Sequence, residues 1–145
     1  MRSAVTEVSW TACLTIAALT AVGCGRGVGA TATGVVRANG KPVPAGVVVR
    51  FQPQVPNGST SIGVTDDDGR FVLRFNANTF GVMPGESVVS LAIREAYDAK
   101  GVPFIPENLR PIRIPESQGS KSTFVKTVKP GANVIDIDID VEPGR

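Results

Sequence analysis

The chain has 145 residues, the length of one domain rather than two, and its 42% hydrophobic content with 16 Gly and 11 Pro is typical of a turn-rich globular protein. Its 15 basic and 13 acidic side chains leave a formal charge of +2 without a basic block, so we expect no nucleic-acid partner. The absence of histidine excludes Ser-His-Asp and Cys-His catalysis and histidine zinc sites, and with them most hydrolase mechanisms.

Residues 1–23 are predicted to be a secretory signal peptide. Met1 and Arg2 begin the segment, a mostly apolar stretch occupies residues 8–22, and Gly23 follows it. A helix that spans a bilayer needs about 20 apolar residues. This stretch is shorter and is followed by glycines rather than by a stop-transfer sequence, so we expect cleavage and no permanent transmembrane helix.

The end of this segment, residues 19–24 (Leu-Thr-Ala-Val-Gly-Cys), resembles the lipobox of bacterial lipoproteins. The resemblance implies that Cys24 is lipidated on sulfur and becomes the new N-terminus, which would hold the mature chain at a membrane. Cys13 would leave with the signal peptide, and the glycines of residues 24–29 predict a flexible tether. The alternative is an ordinary cleaved export signal in which Cys24 has no role.

From Thr31 onward, the sequence has the pattern of an all-β domain. Apolar runs of about four to eight residues, rich in Val, Ile and Phe, are separated by turn residues, and no stretch keeps a helical period. The predicted strands are residues 31–38, 46–52, 61–65, 70–75, 87–94, 122–128 and 133–141. Seven strands favour a single immunoglobulin-like β-sandwich. Alternation along the strands assigns twelve side chains to its core: Val47, Val49, Phe51, Phe71, Leu73, Phe75, Val89, Leu91, Ile93, Ile135, Ile137 and Ile139.

Charged residues in these strands and turns suggest candidate sites. The acidic cluster at residues 66–68 could hold calcium, but it offers too few oxygen ligands and is better explained as a hairpin turn, so no metal site is predicted. The alternate aspartates of residues 136–140 form either a contact for cations or a solvated strand face. Three arginines on outward faces could contact acidic polymers or lipid headgroups, or face water: Arg50, Arg70 and Arg74.

Residues 97–121 lack strand patterning. Four prolines fix the backbone here, which predicts a long, semi-rigid connection between the fifth and sixth strands. The segment combines apolar side chains with arginines, so it is the predicted partner-binding surface, unless its apolar residues fold back over an open end of the sandwich. The candidate binding residues are Tyr97, Phe104, Ile105, Leu109, Arg110 and Arg113.

Six short motifs carry a family resemblance. They lie at residues 34–36 with 39–44, 47–51, 63–71, 84–85, 105–107 and 128–133. Together, and in this order, they are similar to the carboxypeptidase regulatory-like domain, and more closely to small bacterial lipoproteins with one transthyretin-like sandwich behind a lipobox. The resemblance covers nearly all of residues 30–142. It implies a non-catalytic sandwich, because the zinc ligands of the carboxypeptidases belong to a different domain.

These patterns predict an exported, lipid-anchored β-sandwich without catalytic residues or cofactor, which serves as a binding or structural module at the cell envelope. Its partners would be the membrane, through the anchor, and an envelope protein or glycan. One alternative is a carbohydrate-binding module that uses Tyr97, Phe80 and Phe104. The other is a glycan-acting enzyme with a carboxylate pair, Asp66 with Glu95 or Glu107, held about 5 to 9.5 Å apart.

Overall fold

The structure, a computed structural model, describes residues 28–139. The predicted signal peptide of residues 1–23, the lipidation site Cys24, the first part of the tether and residues 140–142 of the predicted domain lie outside this range. Within residues 28–139, no helix has the length and apolar character needed to cross a membrane.

The described residues form an all-β fold with one short 3-10 helix, Glu107–Leu109. The strands are β1 (Ala30–Ala38), β2 (Lys41–Pro42), β3 (Val47–Pro53), β4 (Ser61–Val64), β5 (Arg70–Val72), β6 (Arg74–Asn76), β7 (Thr79–Phe80), β8 (Gly85–Ile93), β9 (Ala96–Tyr97), β10 (Pro103–Phe104), β11 (Val125–Val128), β12 (Gly131–Val134) and β13 (Ile137–Ile139).

These strands form two larger sheets and a hairpin. A five-stranded sheet is built around β1, with β12 and β13 on one side of it and β2 and β5 on the other. A six-stranded sheet has the order β11-β8-β3-β4-β6-β7, and β9 pairs with β10 as a separate hairpin.

Both larger sheets contribute to one hydrophobic core, which is consistent with the predicted β-sandwich. Nine of the twelve predicted core residues are buried, and Ile93 and Ile135 are partly buried against them. The exception is Phe75, which is only half-buried and lines an outer groove. The alternation rule missed core residues outside the long strands, among them Val43, Val82 and Leu109.

Each of the seven predicted strand regions contains at least one strand, but the count of seven is not confirmed. The predicted strand of residues 70–75 is divided at Leu73, because the chain changes sheets there: β5 pairs with β1, whereas β6 pairs with β4. Leu73 itself is buried, donates its N–H to the carbonyl of Ala32 and accepts the N–H of Gly81. The chain thus crosses between sheets with its backbone groups paired.

The predicted strand of residues 133–141 is also divided, into β12 and β13, and Asp136 lies in the gap. Its carboxylate accepts the N–H of Val35 and a guanidinium N–H of Arg37, each at 2.9 Å. A Cβ on Gly34 would lie 1.9 Å from the carbonyl oxygen of Ile135, so the backbones of these two segments approach too closely for any side chain at residue 34. The Asp136 side chain therefore maintains hydrogen bonding to β1 between β12 and β13, where the strand pairing is interrupted.

We predict that Asp136→Asn destabilises the protein by about 0.5 to 1 kcal/mol, because the ion pair with Arg37 is partly exposed. The hydrogen bonds from Arg37 and Val35 lower the pKa of Asp136, so its contribution is complete above the unfolded-state pKa of about 3.9. It is lost as the pH falls through the lower pKa of the folded protein. Urea unfolding at neutral and acidic pH measures this difference.

Asp138→Asn is the matched control, since Asp138 is an exposed neighbour on β13 whose side chain makes no hydrogen bond within residues 28–139. It should leave the free energy of unfolding unchanged to within about 0.5 kcal/mol. Equal losses from the two substitutions, or a loss at Asp136 that does not diminish in acid, would contradict the assigned role.

Candidate functional site

The most exposed apolar part of the predicted binding segment is a hairpin, β9–β10, that follows the end of β8. Arg94 donates its backbone N–H to the carbonyl of Gly46, which fixes the start of the segment to the end of the sheet. At the tip, the carboxylate of Asp98 accepts the backbone N–H groups of Lys100 and Val102 at 2.8 and 2.9 Å. This side chain closes the turn, so the hairpin has a defined conformation without packing under other strands.

Tyr97 and Phe104 lie on this hairpin and are 66% and 46% exposed. Val102 and Ile105 beside them are also exposed. In the register of the hairpin, Tyr97 is opposite Pro103 and Phe104 is the next residue, so the two aromatic side chains belong to opposite faces. They offer apolar surface in two directions rather than one flat platform.

Leu109 does not belong to this exposed surface, which corrects one member of the predicted set. It is 1% exposed, and a Cβ on Gly46 would lie only 2.7 Å from its Cδ1. The 3-10 helix that contains it follows Pro106, and the Asn108 side chain donates to the carbonyl of Ala45. Leu109 therefore covers the end of the core beside Gly46, and burying its side chain there stabilises the folded protein.

The two arginines of the predicted set follow Leu109 in the chain, and both are exposed. Arg110 pairs with Glu107 at 3.7 Å, a solvent-exposed contact within one helical turn that contributes little stability. Arg113 is exposed between Ile112 and Ile114, both of which pack against the core. Part of the segment of residues 97–121 thus folds back over the core, and part of it is exposed to solvent.

The N-terminal end of the described chain lies at the opposite end of the strands. A Cβ on Gly29 would lie 3.2 Å from Cγ of Pro84, just before β8 begins. The hairpin instead follows Ile93, where β8 ends, and Ile93 pairs with Val47 at that end of β3. From Ser87 to Ile93, β8 spans roughly 20 Å at about 3.3 Å per residue. A tether attached at residue 28 therefore enters the domain far from the hairpin.

The acidic cluster forms the predicted turn. One carboxylate oxygen of Asp66 accepts the N–H groups of Asp68 and Arg70, at 3.0 and 2.9 Å. In residues 28–139, no group of three or more Cys, Asp or Glu side chains is placed to hold a metal ion. Asp66 lines the depression of residues 60–80, whereas Glu95 lines another and Glu107 is not among the residues of the first, so neither proposed carboxylate pair shares that depression.

An outer groove of about 590 Å³ was not predicted from the sequence. It lies on the outward face of the six-stranded sheet, beside the point where the chain leaves that sheet for β5. In one cross-strand row, Arg50 is opposite Ile62, Ile62 is opposite Arg74, and Arg74 is opposite Phe80. The sequence does carry a signal for this groove. Ile62, Val64 and Val72 occupy outward positions of their strands, where the side chains of a solvated face would be polar.

Comparisons with known proteins assign no family. No protein-family model matches the chain, and no curated protein matches it. A 9R-lipoxygenase from Cyanothece PCC8801 is similar in structure over 77% of this chain and 16% of its own length, with 14% sequence identity and a TM-score of 0.34. The chain thus spans less than a fifth of that protein, and a TM-score this low indicates neither shared family nor shared activity.

We predict that Leu109→Ala costs about 2 to 5 kcal/mol of stability, because it leaves a cavity under Gly46. Phe104→Ser removes a half-exposed ring from the hairpin and should cost less than about 1 kcal/mol. Thermal unfolding of the two variants beside the parent protein measures the difference. Similar losses from both would show that the hairpin packs as part of the core.

Proposed function

We propose that this chain is a lipid-anchored, extracytoplasmic binding or structural module of the cell envelope, without catalytic activity of its own. In this proposal its domain is a sandwich of the carboxypeptidase regulatory-like, transthyretin-like kind. Residues 1–23 direct export, and Cys24 carries the anchor. The mature domain then presents the β9–β10 hairpin to an envelope protein.

The observation that carries the proposal is the separation of the two ends of the domain. Residue 28, which the tether would reach first, lies beside Gly81, and the exposed hairpin follows the far end of β8. An anchored domain with this arrangement keeps its most exposed apolar segment away from its attachment point. Loops held on a rigid sheet are where binding residues are commonly found.

The exposed aromatic residues favour a protein partner over a carbohydrate. Sugar-binding modules normally stack a ring on a flat aromatic platform. Here Tyr97 and Phe104 lie on opposite faces of the hairpin, and Phe80 lies in a separate sheet, on β7. A hairpin with apolar side chains on both faces fits a cleft or groove in another protein, which can surround it.

The anchor is tested by the intact mass of the protein recovered from membranes. We predict a chain that begins at Cys24 and carries the added mass of acyl groups. Cys24→Ser should abolish that mass and release the domain from salt-washed membranes, because the covalent anchor is the attachment that resists salt. A parent protein that begins further along the chain and carries no lipid would refute the anchor.

The binding surface is tested by photo-cross-linking in intact envelopes. A photoreactive residue in place of Phe104 should give one defined cross-linked product. The same residue in place of Val134, which is 80% exposed on the five-stranded sheet, is the matched control and should give none. Tyr97→Ser should weaken the Phe104 product without changing the melting temperature. Equal yields from both positions would contradict a specific surface on the hairpin.

A further inference from the structure

The outer groove is an apolar surface that the domain leaves uncovered. Four large apolar side chains around it are exposed, from 40% at Val64 to 52% at Phe80. They come from three strands, β4, β5 and β7, and the groove is open on the outward face of the sheet. Exposed clusters of this kind usually mark a contact with a membrane or a protein, because an uncovered apolar patch is unfavourable in water. The four residues are Ile62, Val64, Val72 and Phe80.

Three arginines lie in or beside this surface. Arg70 and Arg74 line the groove, and Arg50 extends the same cross-strand row on the other side of Ile62. The guanidinium of Arg74 lies 4.1 Å from the centre of the Phe80 ring, so charge and aromatic surface are presented together. The acidic turn of residues 66–68 lies at one end of the groove, where Asp66 is the acidic residue among the groove's lining residues.

The N-terminal end of the domain lies next to the same surface. Gly81 immediately follows Phe80, and a Cβ on Gly81 would lie 3.2 Å from Cβ of Val28. Val28 is the fourth residue after Cys24, and a chain of that length spans at most about 14 Å. A lipid attached at Cys24 would therefore hold Val28, which lies beside Gly81 at the end of β7, within about 14 Å of the attachment point.

We propose that the outer groove and its arginines dock on the anionic lipid surface of the membrane that holds the anchor. Phe80, Ile62 and their apolar neighbours enter the interface, and the arginines contact phosphate groups. The short tether and the positive charge select this occupant over a soluble partner. The inference rests on the proposed lipidation of Cys24 and adds a second, non-covalent contact with the membrane.

A tryptophan reporter tests the contact. The chain has a single tryptophan, Trp10, in the segment that processing before Cys24 would remove, so Trp10→Phe with Phe80→Trp leaves one reporter, in the groove, whether or not the chain is processed. The protein is reconstituted into vesicles of zwitterionic lipid, or of zwitterionic and anionic lipid mixed, with bromine on the acyl chains. We expect a blue-shifted emission from the groove reporter that bromine quenches, more strongly with anionic lipid. The control, Trp10→Phe with Val134→Trp, should remain unquenched.

The arginines are expected to make membrane binding by the groove depend on the charge of the lipid. In protein that carries Cys24→Ser, which removes the covalent anchor, replacing Arg50 and Arg74 with Gln should weaken binding to anionic vesicles by about fivefold per arginine and change little on neutral lipid. Arg113→Gln is the matched control and should have little effect, because Arg113 is exposed beside Ile93 at the other end of β8. Melting temperatures of all variants establish that the fold is intact.

The outcomes separate this inference from the proposed anchor. Vesicle-bound, lipidated protein with an unquenched groove reporter would overturn the docking surface and leave the anchor standing. Protein without lipid at Cys24 whose groove reporter is still quenched on anionic vesicles would support the docking surface and refute the anchor. A blue shift of the groove reporter with soluble polyphosphate and none with vesicles would assign the groove to an acidic polymer and overturn the inference.

Discussion

The pairing of β1 along both of its edges is the constraint on which the rest of this structure depends. One edge carries the C-terminal strands β12 and β13 in parallel, and the other carries β2 and β5 in antiparallel. The contact between Val35 and Asp136 joins residues 101 positions apart. Both ends of the domain are thereby fixed to one strand, and the rest of the chain folds between them.

This constraint also places the two surfaces that the proposals use. Because β1 begins beside β7 and the start of β8, the N-terminal end of the domain lies next to the outer groove. Because β8 runs away from that point, the β9–β10 hairpin lies at the other end of the strands. In the proposals, the anchor and the lipid-facing groove therefore lie near one end of the strands, and the partner-facing hairpin lies near the other.

The sequence predicted the regular parts of the fold well, because period-two alternation reports directly which strand face is buried. It could not predict where a strand changes partners. Leu73 has the alternation of an uninterrupted strand, and only the tertiary structure divides β5 from β6 there. Leu109 was placed in a binding segment because a proline-rich connection carries no periodicity, and its burial depends on Gly46, which is distant in the chain. The outer groove is not predicted from the sequence, although Ile62, Val64 and Val72 are apolar at outward positions, because the pattern does not show that β4, β5 and β7 meet there.

Amide hydrogen exchange of the protein tests the central claim most directly. The account predicts that amides of β1, β3 and β8 exchange only through global unfolding, and that those of residues 96–104 exchange by local opening on a much shorter timescale. Amides of β1 that exchange as fast as those of the hairpin would contradict it, since the N-terminal strand would then be a peripheral addition and could fix neither end of the domain.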